Sequence, residues 1–513
     1  MKILFIYTDI HSEVGYSAGI GILSAILKNQ GHQIKLIHIS EELDYPLDQP
    51  RINRDIHDWQ PHLIGFSITT NQWHFCRKIG EGIKKKFDIP IIVGGHHPTG
   101  DPNGVISEEW VDIVCCGEGD KALAEVVRHM ESGRSIEGIP NLLYKKEGTI
   151  LREPLSAWVK NLDDLPFDDR EIFNYSKIVE TRSGWAEVIV TRGCPFSCSY
   201  CFNKPLLDKY SQEALLRKEN HFSKKDFVSR RRSVDSTISM LKELKSLYPN
   251  ITGFTFVDDI LAIEGKWFEE FAHRYKDEIQ LPYSCTTQPL LFNRKIAVLL
   301  KNSGCKVVKM GVEAGNPEIR KKVLKRNISN ERLFEVFDIT REFGLKSQAF
   351  NMIGIPEETI ENIMETIQLN ALMRPYIVWV STFNPYPGTE LYKFCREKKI
   401  IDESIWDRID SYRADSIIID KYLSRSDFKK LRVMFRWLLN ESLKNDSEGI
   451  YRENIKLLTR LSDKQWEDGT AEELFKKKDI EIDQDLRKKK ISHYVRKKYI
   501  NIYWGKEYNY DLT

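Results

Sequence analysis

Short apolar runs alternate with helix-like stretches along roughly the first 135 residues of the chain. In the helix-like stretches, apolar residues recur at intervals of three and four. Strands that alternate with helices predict a parallel, doubly wound sheet. The predicted strands are Lys2–Tyr7, Ile34–Ile39, Leu63–Ile68, Ile91–Val93 and Ile113–Cys116, and the predicted helices are Ala18–Gln30, Phe75–Phe87 and Lys121–Glu131.

Small and hydroxylated residues follow several of these strands. In a doubly wound sheet, ligands bind at the carboxyl ends of the strands, near the point where the strand order reverses. Glycine at these ends lets a large ligand approach the backbone, although the same glycines also suit tight turns between strand and helix. The candidate binding residues are Thr8, Asp9, Ser67, Thr69, Gly94, Gly95, His96, Gly117 and Glu118.

A second alternating series begins near residue 185. Between about residues 141 and 184 the periodicity fades, and prolines and aspartates indicate an ordered linker. Six strands in the rhythm that follows predict an incomplete (β/α)6 version of the parallel barrel, with its active site at the carboxyl ends of the strands. The predicted strands are Glu187–Thr191, Thr252–Val257, Leu281–Cys285, Lys306–Gly311, Lys346–Ile353 and Ile377–Phe383. The helices predicted between them are Ser233–Leu247, Glu264–Tyr275, Asn293–Asn302, Asn330–Phe343 and Glu358–Met373.

Beyond about residue 400 the pattern becomes helical and strongly charged. Basic clusters at Lys476–Lys478 and Arg487–Lys490 precede a series of aromatic residues between Tyr494 and Tyr510. Such a tail either packs as a solvated helix face, which is the more frequent case, or contacts RNA or anionic lipid. We therefore expect four regions: a Rossmann-like domain (1–140), a linker (141–184), the partial barrel (185–400) and a mainly helical C-terminal domain (401–513).

Composition and charge exclude several classes of protein. The 77 Lys and Arg residues nearly balance 75 Asp and Glu residues, and the net charge of +2 is not the basic excess of a typical nucleic-acid binder. No run approaches the roughly 18 apolar residues of a membrane-spanning helix. The apolar start of the chain has acidic residues directly behind it, which favours a first strand over a secretory signal.

The cysteines carry the strongest chemical signal. An odd, sparse set of nine argues against a disulfide framework and for a reducing cytoplasm. Cys194, Cys198 and Cys201 lie within eight residues, directly after the first barrel strand. Thiolates suit zinc or an iron–sulfur cluster, but structural zinc takes four protein ligands and no second cysteine pair is visible. A four-iron cluster held by three cysteines keeps one iron open to a non-protein ligand.

Residues 192–201, with the sequence RGCPFSCSYC, resemble the signature of the radical S-adenosylmethionine (SAM) enzymes. The resemblance implies that Cys194, Cys198 and Cys201 hold a [4Fe–4S] cluster and that SAM binds the fourth iron. Reductive cleavage of SAM then yields a 5′-deoxyadenosyl radical. The resemblance also implies an external low-potential electron donor of the flavodoxin or ferredoxin type.

The signature includes the aromatic residue before the last cysteine. Four further segments resemble later motifs of this family: FTFVDD (residues 254–259) at the second strand, MGVEAG at the fourth strand, NMIGIPEET, which flanks the adenine, and PYPGTE after the sixth strand. In the adenine motif, Glu357 stands where many relatives have glycine. The residues for which the resemblance implies contact with SAM are Tyr200, Glu313, Gly354, Ile355 and Pro387.

A doubly wound domain ahead of such a barrel resembles the cobalamin-dependent subgroup of the family. The segments Ile64–Thr69, Val93–His97 and Gly117–Asp120 look like those that line the corrin and its nucleotide tail. The strand-end candidates named above are therefore implied contacts of cobalamin. The segment Asp9–Gly15 nearly repeats the DxHxxG loop through which other cobalamin proteins ligate cobalt, with one residue too many. For His11 the alternative is a polar loop at the end of a strand.

The two implied cofactors point to radical methylation of an unactivated carbon of a small-molecule substrate, with cobalamin as the methyl carrier. Anaerobic porphyrin ester cyclases share this domain order, so a radical oxidative cyclisation or rearrangement without methyl transfer stays open. A non-catalytic zinc or RNA-interaction protein is a third alternative. Candidate substrate contacts are Arg230, Arg231, Arg232, Asp258, Asp259, Thr286, Thr287 and Gln288.

Overall fold

The computed structural model describes residues 1–156, 158–216, 230–409, 415–443 and 449–494. The chain divides into two compact units. The first unit comprises Met1–Asp259, Pro385–Phe394 and Ile409–Ser411, and the second unit comprises Ile260–Asn384, Cys395–Arg408 and Tyr412–Thr513. Within the described residues, no helix combines the length and the apolar character that crossing a membrane requires.

Seven strands of the first unit form one sheet. They are β1 (Lys2–Thr8), β2 (Gln33–Ile39), β3 (Leu63–Ser67), β4 (Ile91–Gly94), β5 (Ile113–Cys115), β6 (Leu142–Lys146) and β7 (Thr149–Arg152). The order in the sheet is β2-β1-β3-β4-β5-β6-β7, and the first five strands pair in parallel. The strand order reverses between β1 and β3, which confirms the doubly wound prediction. The helices of this region are α1 (Ala18–Asn29), α2 (Gln49–Trp59), α3 (Trp73–Lys84), α4 (His96–Gly100), α5 (Pro102–Ser107) and α6 (Ala122–Glu131).

Strands β6 and β7 lie in the region that the sequence predicts as a linker. They form an antiparallel hairpin, and β6 also pairs with β5. The hairpin turn consists of Glu147 and Gly148, which have φ values of +50° and +77°. A two-residue turn with both residues in the left-handed region matches the twist of a hairpin. The sheet therefore extends to residue 152. The hydrophobic pattern does not predict this strand, because β7 is largely exposed and lacks an apolar face.

The rest of the first unit contains the start of the second alternating series. Its elements are α7 (Tyr175–Thr181), β8 (Trp185–Val188), β9 (Thr191–Arg192), α8 (Asn203–Leu216), β10 (Arg230–Arg231), α9 (Val234–Leu247) and β11 (Gly253–Phe256). Strands β8 and β11 pair in parallel, whereas β9 and β10 form a short antiparallel ribbon. The Ser233 hydroxyl accepts a hydrogen bond from the Ser236 amide and caps α9, as its position before an acidic first turn predicts.

The second unit continues the alternation. Its strands β12 (Tyr283–Thr287), β13 (Cys305–Glu313), β14 (Lys346–Ile353) and β15 (Ile377–Thr382) pair in parallel in chain order. Helix α10 (Lys266–Arg274) precedes β12, and the helices between the four strands are α11 (Arg294–Asn302), α12 (Asn330–Glu342) and α13 (Ile360–Met373). Parallel strands that alternate with helices through both units confirm the partial-barrel fold class.

The C-terminal region is helical, as predicted. After α14 (Glu390–Glu397) it consists of α15 (Arg425–Ser442), α16 (Ile450–Thr459), α17 (Asp463–Glu467) and α18 (Thr470–Lys488). Phe428 and Phe435 of α15 pack with Ile363 and Ile367 of α13 in one hydrophobic cluster. This contact attaches the C-terminal helices to a barrel helix of the same unit. The predicted aromatic tail, from residue 495 onward, lies outside the described residues.

Candidate functional site

A cavity of about 530 Å³ opens at the carboxyl ends of the parallel strands in the first unit. Its wall includes the residues that directly follow β3, β4 and β5, together with strand residues such as Phe5 and Gly65. It therefore lies at the edge of the sheet where ligands are expected to bind. The predicted cobalamin-binding residues on its wall are Ser67, Thr69, Gly94, Gly95, His96, Gly117 and Glu118.

Thr8 and Asp9 are the two predicted cobalamin contacts that are not among the described residues of the cavity wall. The Asp9 carboxylate accepts a hydrogen bond from the Gly15 amide and lies 2.9 Å from the His38 ring nitrogen. The Thr8 hydroxyl lies 3.5 Å from the sulfur of Cys76. Both side chains are buried and serve the β1–α1 loop and its surroundings. The sequence alone does not show that the side chains of Thr8 and Asp9 bond to other protein groups and not to a ligand.

His11 lies in the same loop with a φ of +54°. Its exposed side chain packs edge-on against the Phe75 ring at 5.5 Å. His11 is not among the residues that line the cavity. This placement agrees with the polar-loop alternative for the near-match to the DxHxxG pattern.

His96 lies on the cavity wall next to the cysteine motif. Its side chain is accessible from the cavity, which itself lies within the protein. Desolvation by the surrounding protein lowers the pKa of His96, and the negative charge of Asp259 opposes this decrease. The imidazole packs against the Phe202 ring at a centroid distance of 4.8 Å. Phe202 directly follows Cys201 in the sequence. A neutral imidazole at this position offers one hydrogen-bond donor and one acceptor next to the cysteine motif.

The cysteine motif lies in the loop between β9 and α8. Cys198 is buried, and Cys194 and Cys201 are partly exposed. Burial, together with the charges of Asp259 and of the neighbouring cysteines, raises the pKa of Cys194 to about 12 and that of Cys201 to about 11. The amide of Asn203 donates to the sulfur of Cys201 at 3.7 Å and to the carboxylate of Asp259 at 2.9 Å.

The three thiols of this loop are the type of ligand that iron–sulfur clusters take. Within the described part of the chain, no three His, Cys, Asp or Glu side chains are arranged to hold one metal ion. In a four-iron cluster each thiolate binds a different iron, so the sulfur atoms stand further apart than around one ion. Metal binding releases the protons of thiol ligands, and the burial that raises the pKa of Cys194 and Cys201 opposes that release.

The cavity wall fits a large cofactor. Its volume lies in the usual range of roughly 300–1,000 Å³ for cofactor sites. Glycines keep parts of the wall free of side chains. Gly117 has a φ of +74°, and a β-carbon there would come within 2.5 Å of the Tyr210 hydroxyl. The same hydroxyl accepts a hydrogen bond from the Glu118 amide at 3.0 Å, so Tyr210 shapes this part of the wall.

Asp258 and Asp259 have different surroundings although both were candidate substrate contacts. Asp258 is buried, and one of its oxygens accepts from the Val190 amide and from the amide and hydroxyl of Thr191. Burial raises the pKa of Asp258 to about 6. Asp259 lines the cavity. Asp258 therefore fixes the backbone before the cysteines through these hydrogen bonds. Of the two aspartates, Asp259 is the one on the cavity wall.

Arg230, Arg232 and Thr287, three of the other candidate substrate contacts, have partners within the protein. The Arg232 guanidinium donates to the carbonyl oxygens of Leu165 and Pro166, and Arg230 pairs with Glu118. In the second unit, the Thr287 hydroxyl donates to the Ala262 carbonyl oxygen at 2.8 Å. Arg230 and Arg232 are also among the residues that line the cavity.

Two predicted SAM-binding residues, Tyr200 and Pro387, belong to the first unit. Tyr200 directly precedes Cys201 and is partly exposed. Pro387 lies in a segment that is attached beside the cysteine motif, because the Leu391 amide donates to the Ser199 carbonyl oxygen at 2.9 Å. A β-carbon on Gly100 would lie 2.3 Å from the Pro387 carbonyl oxygen. The segment after the sixth strand therefore packs directly on the end of α4.

The other three, Glu313, Gly354 and Ile355, belong to the second unit. Glu313 ends β13 with a φ of +71°, and its carboxylate lies 3.9 Å from the Arg326 guanidinium. The backbone amides of Gly354 and Ile355 both donate to one oxygen of Glu358, at 2.7 and 3.1 Å. Burial raises the pKa of Glu358 to about 8. Glu358 thus holds the turn after β14, a role that the sequence did not indicate.

Two family models match this chain. The radical SAM superfamily model matches residues 188–369, and the B12-binding domain model matches residues 12–127. The chain therefore contains a radical SAM domain and a B12-binding domain. Its cofactors are a [4Fe–4S] cluster, SAM and cobalamin.

Several curated relatives cover most of the chain. An uncharacterized methyltransferase of Pyrococcus horikoshii is 25% identical over 444 residues, which is 84% of this chain and 90% of the relative. The hopanoid C-3 methylase of Methylococcus capsulatus is 26% identical and covers 72% of this chain and 67% of its own. The anaerobic magnesium-protoporphyrin IX monomethyl ester cyclase of Rubrivivax gelatinosus is 21% identical, with 78% and 70% covered.

Solved structures share the fold. The radical SAM methyltransferase TsrM from Kitasatospora setae gives a TM-score of 0.61 at 16% identity and covers 77% of this chain and 76% of its own. The cobalamin-dependent radical SAM enzyme OxsB gives a TM-score of 0.64 at 14% identity, with 95% and 75% covered. At these identities the likeness concerns the fold.

Proposed function

We propose that this protein transfers a methyl group from SAM to an unactivated carbon of a small-molecule substrate. The observation that carries the proposal is the make-up of the cavity wall. Strand-end residues of the B12-binding domain, such as Ser67 and Gly95, line the same cavity as Phe202, Asn203 and Asp259 next to the cysteine motif. The methyltransferase and methylase names of two relatives support the choice of methyl transfer.

In this proposal Cys194, Cys198 and Cys201 hold the cluster. The bound cluster supplies the electron that cleaves SAM, and bound cobalamin supplies a carrier for the methyl group. The chain itself binds and orients these groups. Asn203 joins Cys201 to Asp259, so the amide fixes the end of the cysteine loop against the cavity wall.

The residues proposed to contact SAM differ in what they offer. Gly354 and Ile355 present a turn whose amides are held by the buried Glu358 carboxyl group. Glu313 offers a carboxylate whose charge the Arg326 guanidinium stabilises. Tyr200 and Pro387 offer apolar surface beside the cysteine motif.

The residues proposed to contact cobalamin are the seven on the cavity wall. Ser67 and Thr69 offer hydroxyl groups, and the glycines after β4 and β5 leave room for a large ring system. His96 offers a neutral ring that can donate one hydrogen bond and accept another. These contacts would hold the cofactor at the edge of the sheet next to Phe202.

An isotope experiment tests methyl transfer. The protein is reconstituted anaerobically with iron, sulfide and hydroxocobalamin and is incubated with trideuteromethyl SAM, a low-potential reductant and a small-molecule extract of the source organism. We expect a product that has gained one CD3 group in place of hydrogen, detected by mass spectrometry. If turnover of SAM proceeds and no product carries the label, methyl transfer is wrong. A Cys194→Ala variant is the matched control, because it should form no labelled product.

A radical oxidative cyclisation or rearrangement is the second candidate, because the Rubrivivax gelatinosus cyclase covers 78% of this chain. In that reaction cobalamin does not carry methyl. The same experiment separates the two, since a cyclisation gives an unlabelled product that has lost hydrogen or gained oxygen.

We further propose a low-potential flavodoxin or ferredoxin as electron donor and a reducing, cytoplasmic location. All nine cysteines are free thiols, which suits a reducing compartment. Cluster reduction by purified flavodoxin, followed by electron paramagnetic resonance (EPR), tests the donor. Localisation of a tagged protein tests the compartment.

A further inference from the structure

Two arginines and two carboxylates form one continuous ion-pair network in the first unit. The Arg192 guanidinium donates to both oxygens of Asp120, at 2.7 and 3.1 Å. It also lies 3.4 Å from Glu118, and Arg230 donates to the other oxygen of Glu118 at 2.6 Å. The side chains of Asp120 and Arg230 are 7% and 3% exposed. Because these charged groups have little contact with solvent, each is stabilised mainly by its oppositely charged partner.

Two short segments of the chain supply this network. Glu118 and Asp120 belong to the loop after β5, whereas Arg192 lies two residues before Cys194. In the β9–β10 ribbon, Arg192 lies directly opposite Arg230. Like charges in opposite positions of paired strands repel each other. The carboxylates of the β5 loop therefore hold the two guanidinium groups side by side and fix the ribbon from which the cysteine loop starts.

Further contacts tie Glu118 to other segments of the first unit. Its amide donates to the Tyr210 hydroxyl, and its carbonyl oxygen accepts from the Asn141 side chain at 2.8 Å. The Val159 amide donates to its carboxylate at 3.1 Å. Glu118 and the three charged residues that pair in this network all line the cavity. A ligand in the cavity therefore meets the same residues that position the start of the cysteine loop.

We propose that Arg192 is a positioning residue that couples occupation of the cavity by cobalamin to binding of SAM at the cysteine motif. This inference rests on the proposed function, because it takes the cavity as the cobalamin site. A cofactor on the wall restrains the β5 loop, and Asp120 transmits that restraint to Arg192 and to the cysteines that follow it. Coupling between two binding sites is reciprocal, so SAM tightens the binding of cobalamin by the factor by which cobalamin tightens that of SAM.

The test measures hydroxocobalamin binding to the full chain with its cluster reconstituted. Titrations followed by absorbance are run anaerobically without reductant, so that SAM is not cleaved, and with or without saturating SAM. For the wild-type protein we expect SAM to lower the dissociation constant of hydroxocobalamin at least about 5-fold, the lower end of typical coupling. Equal constants with and without SAM would contradict the coupling.

Variants of Arg192 separate positioning from a general structural role. In Arg192→Gln we expect the two dissociation constants to become equal, because the bidentate contact with Asp120 is lost. Arg192→Lys keeps the charge, and we expect it to restore part of the SAM effect. If Arg192→Gln keeps the full SAM effect, the proposal is wrong. A merely structural role would weaken binding by the same factor in both titrations and would leave their ratio unchanged.

The exposed pair of Lys146 and Glu137 provides the control. Lys146, at the end of β6, and Glu137, in the segment before β6, have side chains that are 47% and 57% exposed. Lys146→Gln should keep the wild-type SAM effect. Circular dichroism establishes that each variant is folded. Failure of the wild-type protein to bind hydroxocobalamin at all would overturn the cobalamin assignment of the cavity, which is a different result from binding that does not respond to SAM.

Discussion

The backbones of Gly100 and Gly388 are in direct contact: a β-carbon placed on Gly388 would lie 2.9 Å from the Cα of Gly100. Gly100 ends α4 of the B12-binding domain, and Gly388 belongs to the segment after the sixth barrel strand. Two segments that the sequence assigns to different domains therefore meet backbone to backbone within the first unit. Only glycine allows this approach, since any side chain would force the two segments apart.

The first prediction concerns this contact. In Gly100→Ala, the added methyl group would lie 2.3 Å from the Pro387 carbonyl oxygen, which is part of the backbone and cannot move alone. We expect a loss of roughly 1–3 kcal/mol in the free energy of unfolding, measured with denaturant. Gly19→Ala in α1 is the control, because its nearest neighbour is 3.8 Å away and alanine favours a helix. Equal stabilities of the two variants would show that the contact is unimportant.

Substitution of a motif cysteine should lower the iron and sulfide content of the protein, whereas substitution of another cysteine should not. We expect Cys194→Ala to lose most iron and sulfide after anaerobic reconstitution, because the cluster then has only two thiolate ligands. Cys395→Ala removes a buried cysteine outside the motif and should keep the wild-type iron and sulfide content. Iron and sulfide analysis with EPR of the reduced protein checks both. Equal iron in the two variants would contradict the assignment of the cluster ligands.

His96 should contribute to cobalamin binding. His96→Ala removes a ring that faces the cavity and packs on Phe202. Since a hydrogen bond contributes about 1 kcal/mol, we expect the dissociation constant of hydroxocobalamin to rise roughly 5- to 10-fold. His57→Ala, at a side chain that is 76% exposed on α2, is the matched control. An unchanged constant in His96→Ala would exclude the residue from the cobalamin site.

The buried carboxyl group of Glu358 makes stability depend on pH. Its pKa is raised from 4.5 to about 8, so the folded protein holds a proton that the unfolded chain has released. The stabilisation is complete below about pH 4.5 and is lost as the pH rises towards 8, at up to about 1.4 kcal/mol per pH unit. Glu358→Gln keeps an acceptor for the amides of Gly354 and Ile355 and should remove this decrease.

The control for Glu358 is Glu361→Gln on the exposed start of α13, which should keep the wild-type decrease. Denaturant unfolding at pH 6, 7 and 8 gives the three profiles. The account predicts that Glu358→Gln is more stable than the wild-type protein at pH 8. Parallel profiles of Glu358→Gln and wild type would show that the buried group does not titrate in this range.

Glu357 is a residue at which glycine should be tolerated. It has a φ of +67°, in the left-handed region that glycine adopts without strain, and its side chain is exposed. We therefore expect Glu357→Gly to leave the melting temperature unchanged or to raise it. Glu335→Gly, in the middle of α12, should lower the stability by about 1 kcal/mol because glycine disfavours a helix. A comparable loss in both variants would contradict the argument from backbone strain.

Much of the fold follows from short-range patterns that the sequence displays. The five parallel strands of the first domain and the cap at Ser233 appear where periodicity and helix-start signals predict them. The suitability of position 357 for glycine also has a local cause, since the φ of that residue is +67°. These features depend on neighbouring residues, and a single sequence contains the information that fixes them.

The rest depends on contacts between distant residues. Arg192 and Asp120 are 72 positions apart, and the motif around Arg192 shows only that an arginine precedes the cysteines. Asp9 follows a strand and therefore resembled a ligand contact, but its partner is His38 from the next strand. Whether a polar side chain at a strand end faces a ligand or the protein is decided by such tertiary contacts.

The most direct test of the account is one anaerobic assay of two SAM-derived products. The protein, reconstituted with iron, sulfide and hydroxocobalamin, is incubated with SAM and a low-potential reductant, and 5′-deoxyadenosine and S-adenosylhomocysteine are quantified together with bound cobalamin. The account predicts that both products form, that S-adenosylhomocysteine requires bound cobalamin, and that Cys194→Ala forms no 5′-deoxyadenosine. Absence of 5′-deoxyadenosine from protein with a full cluster would contradict the radical mechanism.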